Sequence, residues 1–437
     1  MLKENRFEWH LIYMDYMKNL KTRLITMNFL QFFIWGAWLI SLGRYCGKVM
    51  HFDGLEIGNL FGTMGIASIF MPGLMGIVAD KWLNAEKLLA LLHFFGALAL
   101  VFVATIAPTS DGSNYWLFYS GILMISIFYM PTISLTNAIA YSTLERAKYD
   151  IVKTFPPIRV WGTVGFILAM WSVNISGAMD SNLQLYISAA ASVVLAIYSL
   201  TLPKCPPVGK GKKQKNSLLS SLGLDAFILF KDKKMAVFFV FSMLLGAALQ
   251  VTNTYGNIFL DSFNSLFPDS FAVKYPNILL SLSQVSETLF ILAIPFFLSK
   301  YGIKRVMIMS MLAWVLRFGF FGIGDPGMPG VIFLVLSMIV YGMAFDFFNI
   351  SGSMFVEKEA NPSMRASAQG LFMIMTNGLG AIIGGFASGS VVKLLTDAEG
   401  ITNWSAAWFI FAGYALTISI LFAFLFNYRE QPETKKQ

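Results

Sequence analysis

Charge, cysteine and histidine are all scarce in this chain of 437 residues. Only 13% of residues are charged, against about 25% in ordinary soluble domains, which argues against two or three soluble domains in a row. The two cysteines, Cys46 and Cys205, offer neither a disulfide framework nor metal-ligand spacing. With only three histidines in all, a His-ligated metal site is not expected, and no cofactor is expected. No Ser/His or His/Asp cluster falls in the apolar runs, so an intramembrane enzyme would lack a nucleophile–base pair. His93, alone in its run, reads as a packed or interfacial residue. The first twenty residues, MLKENRFEWHLIYMDYMKNL, lack the apolar core of a cleavable signal peptide.

Hydrophobic residues, at 56%, are abundant and come in runs of about 20, the length that crosses a ~30 Å hydrocarbon core. The chain reads as an all-α polytopic membrane protein. Twelve spans are expected, at 25–45, 56–79, 87–107, 115–141, 154–176, 184–202, 235–261, 276–299, 303–323, 329–355, 366–392 and 404–427. The break after the sixth differs from the others. It carries PKCPPVGKGKKQKNS and then LLSSLGLDAFILFKDKK, a basic linker followed by an expected amphipathic surface helix. The division is therefore a tail at 1–24, a six-helix half at 25–202, a linker at 203–234, a second half at 235–427 and a tail at 428–437. With both termini inside, 26 of the 32 Lys and Arg fall on the cytoplasmic side, and only Arg44, Lys48, Lys274 and Lys393 lie outside. That asymmetry accounts for the net charge of +8 without a nucleic-acid partner; the lipid bilayer is the expected surroundings.

A few polar residues interrupt the spans. Asp346, Glu287 and Arg317 fall near mid-depth, and Arg159 lies about six residues, or ~9 Å, inward of Lys153. A charge at that depth is costly unless it is compensated or used. A structural ion pair with a carboxylate is one reading of Arg317. Around the carboxylates, Gln284 and Glu287 share a helix face at i, i+3, as do Gln250 and Asn253, and Asp346 and Asn349. Amides offer a donor and an acceptor on one plane, carboxylates accept from vicinal hydroxyls, and Phe166, Tyr341 and Phe345 can stack on a flat ring. With only Arg159 and Arg317 in the spans, a phosphorylated ligand would lack its basic cluster. The set suits a neutral, hydroxylated, aromatic solute, and a carboxylate able to take a proton is a natural coupling site.

Two resemblances sharpen this. The loop from Gly76 to Lys87 resembles the G-x-L-A-D-x-x-G-x-K/R signature of the major facilitator superfamily, departing from it at Leu83, and a similar basic turn follows at Pro295 to Met307. FPPIRVWGT, SQVSETLFILAIPFFLSKYGIK, SMIVYGMAFDFFNISGSMFVEKE and RASAQGLF resemble the bacterial nucleoside:proton symporters of that superfamily, from about Met17 to Phe426. The resemblance implies a monomeric, proton-coupled importer of nucleosides such as uridine and adenosine in the bacterial inner membrane. The implied substrate contacts are Arg159, Thr163 and Phe166, then Gln250 and Asn253, then Gln284 and Glu287, and finally Tyr341 and Phe345, with Asp346 as the proton-coupling residue. Thr163 enters through the resemblance alone. A proton-coupled sugar or polyol transporter of the same fold is the nearest alternative, since it too would use amides and a carboxylate.

Overall fold

The structure, a computed structural model, describes residues 19–207, 224–362 and 364–428. The expected tails and the linker therefore fall largely outside the described residues. Of the expected surface helix, residues 224–234 are described: Leu224–Lys231 form a 3-10 helix and Lys233 already opens the next helix. Asp232 ends the 3-10 helix by capping that next helix, its carboxylate accepting from Met235 N at 2.9 Å.

Everything described is helical apart from short connections and one isolated bridge, Thr396 with Thr402. The main helices are α1 (Leu20–Gly36), α2 (Leu39–Lys48), α3 (Gly54–Lys81), α4 (Ala85–Ala104), α5 (Tyr115–Arg146), α6 (Ile151–Ile175), α7 (Leu183–Ser199), α8 (Lys233–Asp261), α9 (Pro276–Ile323), α10 (Gly330–Glu359), α11 (Arg365–Met373), α12 (Ala381–Leu394) and α13 (Trp404–Leu425). A π-helical segment, Ile374–Gly380, joins α11 to α12. Among the described residues, ten helical stretches are long and apolar enough to cross a membrane. Helices satisfy every backbone group internally, so they are the natural spanning element in lipid.

Twelve spans were expected, and two features account for the difference. The expected spans 276–299 and 303–323 form one 48-residue element, broken only at Gly302 with φ 73° and ψ 169°. That left-handed φ is open to glycine at no steric cost. The sixth expected span, α7, is apolar but only 17 residues long. The first span, by contrast, is two helices, interrupted between Gly36 and Leu39.

Helix starts follow local chemistry. Asp53 and Glu56 form a capping box on α3, with Glu56 N bonded to Asp53 Oδ1 at 2.9 Å and Asp53 N to Glu56 Oε2 at 2.8 Å. Pro276 occupies the first turn of α9, where its missing N–H costs nothing. In the first group of helices α1 packs on α6, α4 on α7 and α3 on α5, while in the second α9 packs on α10 and α13. Between the groups, α3 meets the π segment and α12, α8 meets α2, and α6 meets α9.

Small residues set how closely the groups approach. A Cβ on Gly58 would lie 2.1 Å from the carbonyl oxygen of Gly385, and one on Gly385 2.3 Å from that of Gly58, so α3 and α12 touch backbone to backbone. Polar links between the groups cluster at the same end, here called the Asp53 end. Arg44 binds Asp180 (2.5 Å) of its own group and Asp261 (2.9 Å) of the other. Lys393 reaches Asp53 at 2.7 Å, and Tyr255 OH donates to the Gly54 carbonyl at 2.6 Å. Deeper in, Asn277 Nδ2 donates to Ser41 Oγ at 2.8 Å.

Candidate functional site: a cavity between the two groups

A cavity of about 690 Å³ lies between the groups and is lined by α1, α2, α3, α5 and α6 on one side and α8 to α12 with the π segment on the other. Its volume is in the range of small-molecule sites. Its lining continues past Pro72 and Gly73 of α3 and Ser367 and Gly370 of α11, away from the Asp53 end.

Nine of the ten expected substrate-contact and proton-coupling residues line this cavity: Arg159, Thr163 and Phe166 from α6; Gln250 and Asn253 from α8; Gln284 and Glu287 from α9; Tyr341 and Phe345 from α10. The α6 contribution is fixed by close packing on α1. A Cβ on Gly165 would meet the Phe29 carbonyl oxygen at 2.2 Å, and one on Gly36 the Phe166 carbonyl oxygen at 2.5 Å. Phe166 meets Trp35 edge to face, at 6.2 Å and 88°. The Arg159 guanidinium lies over Phe32, with Cζ 3.9 Å from the ring centroid, a favourable cation–aromatic contact.

Polar partners are unevenly distributed. Gln250 Nε2 donates to the Phe61 carbonyl at 3.3 Å and so ties α8 to α3. Gln284 Oε1 is buried and accepts no hydrogen bond. Arg159 and Glu287 act on each other electrostatically from opposite groups without forming an ion pair, and Glu287 also acts on Asp346. Tyr341 and Phe345, one turn apart on α10, hold their rings parallel at 3° and 5.8 Å.

Asp346 is placed differently. It is 5% exposed, lies outside the cavity lining, and leaves Oδ2 without a hydrogen bond. Its expected companion Asn349 does not join it, because Asn349 Nδ2 donates to the Phe345 carbonyl of its own helix at 3.0 Å. The ion-pair reading of Arg317 is corrected as well: its hydrogen-bond acceptors are Ser283 Oγ (3.2 Å) and the Ser337 carbonyl (2.9 Å), both neutral. His93 is packed, as expected, between Gln31 Oε1 (2.9 Å) and Ser192 Oγ (3.1 Å).

Sequence reasoning missed Trp35, Thr376 and Asn377, which also line the cavity. Trp35 sits in an unbroken apolar run with nothing to single it out. Thr376 and Asn377 lie in the π segment, and the signal for it was the glycine-rich TNGLGAIIGG. Helices widened this way recur at functional sites. Here the segment is pressed close to α8, where a Cβ on Gly246 would meet the Thr376 carbonyl oxygen at 2.1 Å.

Comparisons with known proteins converge on one family. The family model described as nucleoside H+ symporter matches residues 17–431. The chain is 54% identical to the nucleoside permease NupG of Escherichia coli (strain K12), over 94% of this chain and 97% of that protein. It is 53% identical to the xanthosine permease of the same organism, over 95% and 97%. The crystal structure of a mutant of the nucleoside transporter NupG superposes with a TM-score of 0.89, at 53% identity, covering 94% of this chain and all of that one. A match over nearly the whole length, in sequence and in fold, means that the chain belongs to the nucleoside H+ symporter family.

Proposed function

We propose that the cavity between the helix groups is the nucleoside site, and that Asp346 carries the proton that drives accumulation. Membership of the family makes the chain a multi-pass, proton-coupled nucleoside transporter and not an enzyme. The observation that carries the site reading is the composition of one cavity wall. Gln284 with an unsatisfied acceptor, Glu287, and the parallel Tyr341–Phe345 rings stand together on α9 and α10.

A nucleoside has a flat base and a hydroxylated sugar. The parallel rings offer the base an aromatic surface, worth roughly 1–3 kcal/mol per stacked base. Glu287 accepts from ribose hydroxyls, while Gln284 and Asn253 exchange hydrogen bonds with the base edge or sugar. Arg159, from the other group, adds a planar fork of donors. Thr163 and Phe166 complete that side, and Gln250 reaches the ligand when it gives up its bond to Phe61. Because α6 belongs to one group and α8 to α10 to the other, a bound nucleoside bridges both.

Transport follows by alternating access. The chain crosses the membrane twelve times, counting the two runs of α9 and the short α7, in two halves at 25–202 and 235–427. The positive-inside bias puts both termini in the cytoplasm and the Asp53 end outside. The structure then corresponds to a carrier shut toward the outside and open inward, in the bacterial inner membrane, and it works as a monomer. Asp346 sits behind the wall that holds Glu287, close enough for the two charges to interact. Protonation of Asp346 removes that repulsion while Glu287 engages the sugar, so proton and nucleoside favour each other's binding.

The test is uptake of radiolabelled uridine into proteoliposomes with and without an inward proton gradient. Accumulation only with the gradient is the expected result. Equal uptake in both would overturn the coupling, and failure of free ribose to compete would exclude a sugar carrier.

A further inference from the structure

Arg317 stands out among the groups that the proposed mechanism leaves unused. It is 3% exposed in the middle of the second helix group, where a charge is expected to be paired or functional. Among the described residues no carboxylate pairs with it; its hydrogen-bond partners are neutral. Nη1 donates to Ser283 Oγ at 3.2 Å and to the Ser337 carbonyl at 2.9 Å, and Ser337 Oγ donates back to the Arg317 carbonyl at 2.9 Å. Nε has no hydrogen-bond partner. What faces the guanidinium is aromatic: Cζ lies 4.4 Å from the Tyr341 ring centroid and 5.4 Å from that of Phe321.

Three of these neighbours lead back to the cavity. Ser283 adjoins Gln284 and lies one turn before Glu287 on the first run of α9. Ser337 lies one turn before Tyr341 on α10. Tyr341 is held edge-on by Trp314, at 6.0 Å and 88°, and parallel to Phe345. A guanidinium is planar, and its fork can bond two acceptors while its face attracts a ring. Arg317 therefore fixes three things with one side chain: the first run of α9, the course of α10, and the plane of the Tyr341 ring.

We propose that Arg317 is a positioning residue for nucleobase recognition, holding Tyr341 so that the Tyr341–Phe345 pair presents a set aromatic wall to the base. This rests on the reading of the cavity as the nucleoside site. It predicts that Arg317 governs affinity through Tyr341 and has no part in proton movement.

A double-mutant cycle on the purified full-length chain tests it, with uridine binding measured by calorimetry. Arg317→Met is expected to weaken uridine about tenfold in the native background. In the Tyr341→Ala background the same change is expected to alter affinity less than twofold. In proteoliposomes Arg317→Met should raise KM while leaving the maximal rate per inserted transporter within twofold, and uptake should still require the proton gradient. Equal weakening in both backgrounds would overturn the inference, as would loss of proton dependence. Wild-type affinity in Tyr341→Ala alone would sink the site reading instead, so the two failures are distinguishable. If Arg317→Met does not give a monodisperse protein, Ser283→Ala, which removes one acceptor of the guanidinium, carries the same cycle. Its expected effect is about threefold in the native background and none without the ring.

Discussion

Two buried polar clusters, one in each helix group, solve the same problem in opposite ways. Around His93 every side chain in the cluster has a partner. Its ring nitrogens meet Gln31 and Ser192, Gln31 Nε2 donates to Thr132 at 2.6 Å, and Tyr129 OH donates to the Gln31 carbonyl at 2.6 Å. Around Asp346 the bonding is incomplete, with Asp346 Oδ2, Gln284 Oε1 and Arg317 Nε all left without partners. In a water-poor interior a satisfied network stiffens the fold, and an unsatisfied polar atom is costly. The contrast teaches that polarity inside the span is not itself a sign of function. Vacant hydrogen-bonding capacity on a cavity wall is the better sign, because a ligand can fill it there, whereas Asn28 Oδ1 and Gln184 Oε1 are vacant away from the cavity.

Breaking the open cluster at its acid should have the largest effect. Asp346→Asn keeps the shape but cannot release a proton. It is expected to bind uridine and exchange labelled for unlabelled substrate while losing gradient-driven accumulation entirely. Accumulation at the native level in proteoliposomes would move the coupling role to Glu287. Next comes Arg159→Lys, which keeps the charge facing Glu287 but loses the planar fork and its fit over Phe32. Initial uptake should fall more than tenfold, and a normal rate would reduce Arg159 to a point charge.

The closed cluster should respond in the opposite sense. His93→Leu strands Gln31 Oε1 and is expected to cost about 1–3 kcal/mol of stability, seen as a lower melting temperature. Uridine affinity should stay within twofold; a larger change would mean that this network also serves the ligand. The smallest effect is expected outside the membrane. Burial works against the Asp180 charge, but the hydrogen bond from Arg44 and the nearby Lys48 outweigh it and hold the carboxyl below its usual range. A depressed acid stabilises the fold above its unfolded value, about pH 3.9, and loses that contribution as pH falls. The melting temperatures of the native chain and Asp180→Asn should therefore differ by a constant amount above about pH 5 and converge below about pH 4. A gap that widens on acidification would refute this.

Much of this was legible in the sequence because lipid imposes simple rules. Apolar runs located most of the described helices to within a few residues, and the i, i+3 pairs of amides and carboxylates led to the cavity-lining faces of α8 and α9. Other features were not legible. Nothing in the pattern shows that the first span breaks between Gly36 and Leu39, or that Gly302 lets two spans read as one helix. Spacing put Asn349 beside Asp346, yet its amide turned to its own helix, a local bond that periodicity does not foresee. Charge alone made an ion pair with a carboxylate one reading of Arg317, whereas an aromatic face and two oxygens hold it. Trp35 carries no mark at all in a run of apolar residues; only the fold brings it to the cavity.

The meeting of Gly58 with Gly385 has a mechanical consequence. Where two helices interlock through long side chains, parting them means withdrawing each knob from its hole and finding it a new rotamer. At Gly58 and Gly385 there is no knob, only backbone against backbone, while Val392 and Ile382 pack on Gly54 and Gly65 elsewhere along the seam. Parting the groups there would break the nearby ion pairs of Arg44 and Lys393, but between these two glycines no side chain has to be unthreaded. The contact behaves as a bearing: it carries load while closed and offers little friction to opening, which suits a machine that repeats the same movement for every molecule carried.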